Sequence, residues 1–138
     1  MNTRVLLAGP APLLEAATSR LGHLDLTCAA DGAALFEAFV TEARSARSPA
    51  LVVIDLHLER ISGPGVIQAI RAVERAWSRR PTPILIYAAQ PADAELKAFI
   101  ASVGQTVHLE RPGQAPVVDQ AARLQVAVDR LLTQLRGA

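Results

Sequence analysis

The chain has 138 residues, enough for one domain with a core of its own, and residues 1–138 read as a single unit. Hydrophobic residues make up 51% and charged residues 20%, which excludes an intrinsically disordered chain, and a net charge of +1 gives no electrostatic reason to expect nucleic acid or an anionic membrane as partner. No apolar run approaches the roughly 18 residues of a membrane span, and the one cysteine, Cys28, excludes an intrachain disulfide or a thiolate-rich metal site. The start of the chain does not read as a signal peptide, so the expected setting is the cytoplasm.

Arg4 to Ala8 is short and apolar throughout, and Pro10 and Pro12 follow it at a strand-to-helix turn. Leu14, Ala17 and Leu21 recur at helical spacing. Leu24, Leu26 and Cys28 alternate with polar residues, as in a half-buried edge strand. Asp31-Gly32 reads as a turn, after which Leu35, Phe36, Phe39, Val40 and Ala43 mark one face of a helix. Residues 41–49 then turn polar and end in a proline, as an exposed loop does. Ala50 to Ile54 is β-branched and apolar on both faces, the signature of a central parallel strand covered by helices on each side. Ser62 is placed to cap the next helix, with Pro64 in its first turn and Val66, Ile70, Val73 and Trp77 along its face. Pro83 to Ala89 reads as a second central strand. Leu96, Phe99, Ile100 and Val103 line a fourth helix, with Gly104 as its C-terminal cap. Thr106 to Leu109 is a short fifth strand, and the last helix runs from about 116 to 135. Five strands alternating with five helices predict an α/β fold: a doubly wound, five-stranded parallel sheet flanked by helices.

In such a sheet a site forms outside the carboxyl ends of the strands. Gly9-Pro10, Asp55, Ala88-Ala89 and Arg111-Pro112 are the residues there, and Asp55 and Arg111 are their only ionisable side chains. The whole arrangement resembles the CheY-like receiver domains of bacterial response regulators. The most specific piece is Asp55-Leu56-His57-Leu58 followed by Ser62-Gly63. The strand-turn RVLLAGPAP, the strand TPILIYAA and Arg111-Pro112, standing where the family has Lys-Pro, support it. The resemblance implies a flavodoxin-like sheet in the order 2-1-3-4-5 and makes Asp55 the phosphoacceptor equivalent.

The same resemblance exposes departures. The family's acidic pair after the first strand, which holds magnesium, is Gly9 and Pro10 here. The Ser/Thr that bonds the phosphoryl oxygen is Ala88, the lysine is Arg111, and the aromatic of the fifth strand is His108. Magnesium takes hard, charged oxygens and sheds water reluctantly, so one remaining carboxylate predicts that Mg2+ does not bind. A phosphoryl group at Asp55 would then lack its neutralising cation. Asp55 and Arg111 are expected to form a fixed ion pair, the plainer alternative being a turn or capping aspartate left as scaffold.

Other signals are weaker. His23, His57 and His108 lie on separate elements with no ligand spacing. The arginines 44, 47, 71, 75, 79 and 80 are interspersed with Glu37, Glu42 and Glu74 and read as a solvated face rather than a DNA-binding one. Ser62-Gly63-Pro64-Gly65 lacks the Lys and Ser/Thr of a phosphate loop, and the prolines at 10 and 12 remove the backbone donors a phosphate cradle needs. There is no G-x-S-x-G elbow. In the last helix Val117, Ala121, Leu124, Val128, Leu131 and Leu135 form an apolar stripe whose first half packs on the sheet. Leu124, Val128, Leu131 and Leu135 are the interface candidates, because the resemblance makes the helix 4–strand 5–helix 5 face the dimerisation and output surface. The leading expectation is a pseudo-receiver of bacterial two-component-like signalling. It would work without phosphorylation, catalytic residues, cofactor, nucleic acid or membrane, and would bind a signalling partner, its own output domain or a second copy. The alternatives are an atypical receiver still phosphorylated on Asp55 and a small flavodoxin-like enzyme.

Overall fold

The computed structural model describes residues 3–45 and 47–137; Ala46, inside the predicted loop 41–49, and residues 1, 2 and 138 at the ends of the predicted domain lie outside the described residues. The order is β1 (Arg4–Ala8), α1 (Ala11–Arg20), β2 (Asp25–Ala29), α2 (Gly32–Arg44), β3 (Leu51–Ile54), α3 (Gly63–Ala76), β4 (Ile84–Ala88), α4 (Ala94–Val103), β5 (Thr106–Glu110) and α5 (Val117–Gly137). All four strand pairings are parallel and the sheet order is β2-β1-β3-β4-β5, as expected for a flavodoxin-like fold.

Every residue of β3 and β4 is buried, because both of their faces are covered. On one face Val52, Ile54, Ile84, Ile86 and Ala88 pack against Leu35 and Phe39 of α2, Val66 and Ile70 of α3, and Leu96 of α4. On the other, Val53, Leu85 and Tyr87 pack against Leu13 and Ala17 of α1 and Ala121, Leu124 and Val128 of α5. The alternation of each strand thus builds two cores at once.

Several local expectations need correction. Asp31-Gly32 is not a turn between elements. Asp31 caps α2 by accepting from the Ala34 amide at 2.8 Å, and Gly32 is the first helical residue. A Cβ on Gly32 would collide with the Ile61 carbonyl, so the glycine lets α2 start against the loop before α3. On β2, Leu24 precedes the strand and Cys28 is exposed, with the Thr18 hydroxyl of α1 at 3.7 Å from its sulfur. Trp77 does not face the core: α3 ends at Ala76, and Trp77, its cap residue, is 45% exposed. Ser62 does cap α3, accepting from the Gly65 amide, and Gly104 ends α4 at φ 67°.

The amino-terminal end of the sheet is tied by a buried pair. Arg71 of α3 meets Glu74 at 2.7 Å and donates to the carbonyls of Val103 and Gly104, while Glu74 accepts from the Thr82 amide. One guanidinium therefore fixes the end of α4 against α3 and the start of β5.

Candidate functional site at the carboxyl ends of the strands

The sheet ladder continues one residue past each strand and sets the site. The Asp55 amide donates to the Ala8 carbonyl at 3.1 Å, and the Arg111 amide donates to the Ala88 carbonyl at 2.7 Å. Asp55 is thereby held beside the end of β1, and Arg111 beside the end of β4. The Asp55 backbone is also crowded by the start of α3: the Gly63 amide donates to Leu56, and a Cβ on Gly63 would strike the Asp55 carbonyl. The glycine in Ser62-Gly63 is thus a packing requirement of the Asp55 loop.

The two charges meet. Arg111 Nη2 donates to Asp55 Oδ2 at 2.7 Å, with side chains 12% and 5% exposed. Asp55 Oδ1 accepts from the His57 amide at 3.3 Å. Arg111 Nη1 donates to Gln120 Oε1 at 3.3 Å, and Gln120 Nε2 donates to the Ala115 carbonyl at 3.0 Å. Tyr87, on the α5 face of β4, donates its hydroxyl to the Gln120 carbonyl at 2.6 Å. Burial raises the Tyr87 phenol above its ordinary value, against a lowering by the Arg111 and Arg123 charges. Asp55, Arg111, Gln120 and Tyr87 form one connected network from β3 to α5, in which the carboxylate is already engaged.

The remaining positions carry no such chemistry. Gly9 is buried directly after β1, and Pro10 is exposed before α1. Ala88 is fully buried in the α3–α4 core, so its methyl serves packing. His108 lies on the α4 side of β5 and its Nε2–H donates to the Gln90 carbonyl at 3.0 Å, tying β5 to the loop before α4 rather than to Asp55. Among the described residues no group of three or more His, Cys, Asp or Glu could hold a metal ion. At Asp55 the donor set is one carboxylate already paired to a guanidinium, which does not fit the several hard oxygens that magnesium takes.

Sequence reading missed Gln120 and Tyr87. The one available signal was Tyr87 itself, a hydroxyl inside an apolar central strand that had to find a partner. Two of the four interface candidates need correction. Leu124 and Val128 are 0% exposed and belong to the core, so they are not available to a partner. Leu132, not Leu131, continues the buried stripe; Leu131 is half-buried and Leu135 is 40% exposed. Exposed apolar side chains of this face include Val107 and Leu109 of β5 and Val126 of α5. With Leu85, Ala127 and Leu131 they line a groove of about 510 Å³ between β5 and α5, rimmed by Arg123, Arg130 and Glu110.

No known protein-family profile matches the chain, and no curated protein matches it. Solved structures do. The receiver domain of the histidine kinase CKI1 from Arabidopsis thaliana, complexed with Mg2+ and BeF3−, superposes with a TM-score of 0.74 at 15% identity, over 95% of this chain and 90% of that one. The chemotaxis protein CheY4 of Vibrio cholerae gives 0.71 at 20% identity, over 95% and 99%. The receiver domain of the Francisella response regulator 1452 gives 0.67 at 19% identity, over 97% and 99%. The chain thus has the fold of CheY-like response-regulator receiver domains over nearly its whole length. No helix among the described residues is long and apolar enough to cross a membrane.

Proposed function

We propose that this chain is a pseudo-receiver: a protein–protein interaction module of two-component-type signalling, neither phosphorylated nor enzymatic, whose conformation is set by what it binds. The observation that carries this reading is the Asp55–Arg111 contact at 2.7 Å, within a network closed by Gln120 and Tyr87. A carboxylate must present a free oxygen to attack a phosphoryl donor, and the charge developing there needs a cation to bridge it. Here the oxygen facing β5 is taken by a guanidinium. Gly9 and Pro10, directly after β1, bring no carboxylate to Asp55, so in this reading the module takes no Mg2+.

The working surface in this reading is the β5–α5 groove, and its occupant is an acidic, amphipathic segment of a signalling partner or output domain. Arg123 and Arg130 at the rim have no carboxylate partner among the described residues, and apolar Val107, Leu109 and Val126 lie between them. A symmetric dimer through the same groove would bring two arginines per copy against one glutamate, which favours a different partner over a second copy.

The retained Asp55 and the Arg111 cation support a second reading, an atypical receiver in which Arg111 supplies the charge that the metal otherwise would. Intact mass after incubation with an acyl phosphate, with and without Mg2+, separates the two. The pseudo-receiver gives no phosphoryl adduct in either condition. An adduct that disappears in Asp55→Ala overturns it and establishes the second reading.

A further inference from the structure

A second cleft, of about 580 Å³, lies at the opposite end of the sheet from Asp55, and nothing in the receiver reading uses it. One wall is the segment Arg47–Ala50 before β3, the other is the last turns of α5 with Leu132, Leu135 and Arg136, and Pro83 contributes apolar surface near the start of β4. The loop wall is anchored rather than loose. Arg79, after α3, donates to the carbonyls of Ala43 and Arg47 and to the Ser48 hydroxyl, so Arg47 and Ser48 are presented from a fixed backbone.

Three guanidiniums line this cleft, and their situations differ. Arg4 is neutralised by Asp25 and Glu42, although its Nε is buried without a partner. Arg136 donates to the Thr3 hydroxyl at 2.7 Å and stands in the last turn of α5, where the helix dipole alone favours a cation. Arg47, on the facing wall, has no such reason to be there. Among the described residues neither Arg47 nor Arg136 has a carboxylate within ion-pair distance. Like charges brought to one cleft without an acid between them repel, and an anion entering from solvent relieves that repulsion. The planar fork of arginine suits phosphate oxygens in particular, and Pro83, Leu132 and Leu135 offer an apolar bed beside them.

We propose that this cleft binds a small organic phosphate, with the phosphate held between Arg47 and Arg136 and its apolar body over Leu135 and Pro83. The probe is phenyl phosphate, titrated into the full chain at low ionic strength and followed by backbone amide NMR. Saturable shifts confined to the amides of residues 47, 48, 50, 84 and 132–136 are expected, and inorganic phosphate should shift the same amides with weaker affinity. Arg47→Gln removes one charge-assisted contact and weakens binding roughly tenfold. Arg75→Gln, on the exposed side of α3, removes the same charge elsewhere and leaves the affinity unchanged. Equal weakening by both variants would show only diffuse attraction to a basic surface, and that, or shifts spread over all the arginines, overturns the site. Arg47 is exposed, so its variant keeps the fold, which the Trp77 fluorescence unfolding curve verifies independently.

Discussion

Asp55 and Arg111 are each nearly buried and, among the described residues, each is the other's only ionic partner, so removing one strands the other in a low-dielectric setting. Arg111→Ala should therefore cost about 3–5 kcal/mol, while Asp55→Asn with Arg111→Met should cost less than Arg111→Ala alone, because no charge is left unpaired. Urea unfolding followed by Trp77, the one tryptophan, measures both, and a double variant as costly as the sum of the singles would refute a coupled pair. This much was legible in the sequence, since Asp55 and Arg111 are the only ionisable residues among Gly9-Pro10, Asp55, Ala88-Ala89 and Arg111-Pro112. Tyr87 was not. Its phenol is raised above the ordinary value of 10.0 by burial, so the folded state holds the proton more tightly than the unfolded state does. The sign follows: this contribution is fully present below about pH 10 and is lost as pH rises through the folded value. Tyr87 is the only tyrosine, so alkaline absorbance reads it alone. Tyr87→Phe should cost about 1 kcal/mol at neutral pH and flatten the alkaline fall in stability. An unchanged alkaline fall would place its origin elsewhere.

At the level of elements, what the sequence revealed depended on how many neighbours each element has. β3 and β4 are apolar on both faces and were readable as central strands, whereas the edge strand β2 is covered so sparsely that Cys28 stays exposed despite the alternation around it. Helix ends were harder, because a periodic stripe says nothing about where the opposing surface stops. α5 shows this best. Its 21 residues span about 31 Å, whereas a five-residue strand spans about 17 Å, so its last turn runs past the strands it packs on. Leu124 and Val128 lie over the sheet and are core; Leu135 lies in the last turn and is exposed, though all three continue one stripe. Leu124→Ala should accordingly cost about 2–5 kcal/mol in chemical unfolding. Val126→Glu, on the open side of the same helix at 56% exposure, should change stability by less than about 0.5 kcal/mol while, in the proposed reading, weakening the binding of an acidic segment at the β5–α5 groove. A large stability loss in Val126→Glu would mean that the groove is closed by packing in solution.

Across the whole molecule, the doubly wound parallel sheet was legible from five alternating units joined by right-handed crossovers, whereas the strand order came only from the resemblance to receiver domains. The distribution of charge between the two ends of the sheet was not legible. Arg71 and Glu74 read as part of a solvated face, yet they form a buried clasp at the amino-terminal end, as Asp55 and Arg111 do at the carboxyl end. Nothing in the residue types separates the two cases; only the packing of α3 against α4 and β5 does. Whether these ends communicate decides how a partner could set the conformation. β4 pairs with β5 so that Ile84 lies opposite Thr106, which puts Tyr87 three residues, or about 10 Å, further along the strand direction and on the other face. Thr106 bonds the Gly104 carbonyl within the Arg71 clasp, and Tyr87 bonds Gln120 within the Asp55 network. Well-separated groups without shared partners contribute additively to within about 0.5 kcal/mol. Thr106→Val and Tyr87→Phe, combined in one chain, should thus cost the sum of the single losses in urea unfolding. A rigid sheet with independent ends confines any partner-driven change to the loops and helices around one end. A coupling clearly above that margin would instead make the sheet a conduit, and binding in the arginine-lined cleft would then be felt at Asp55.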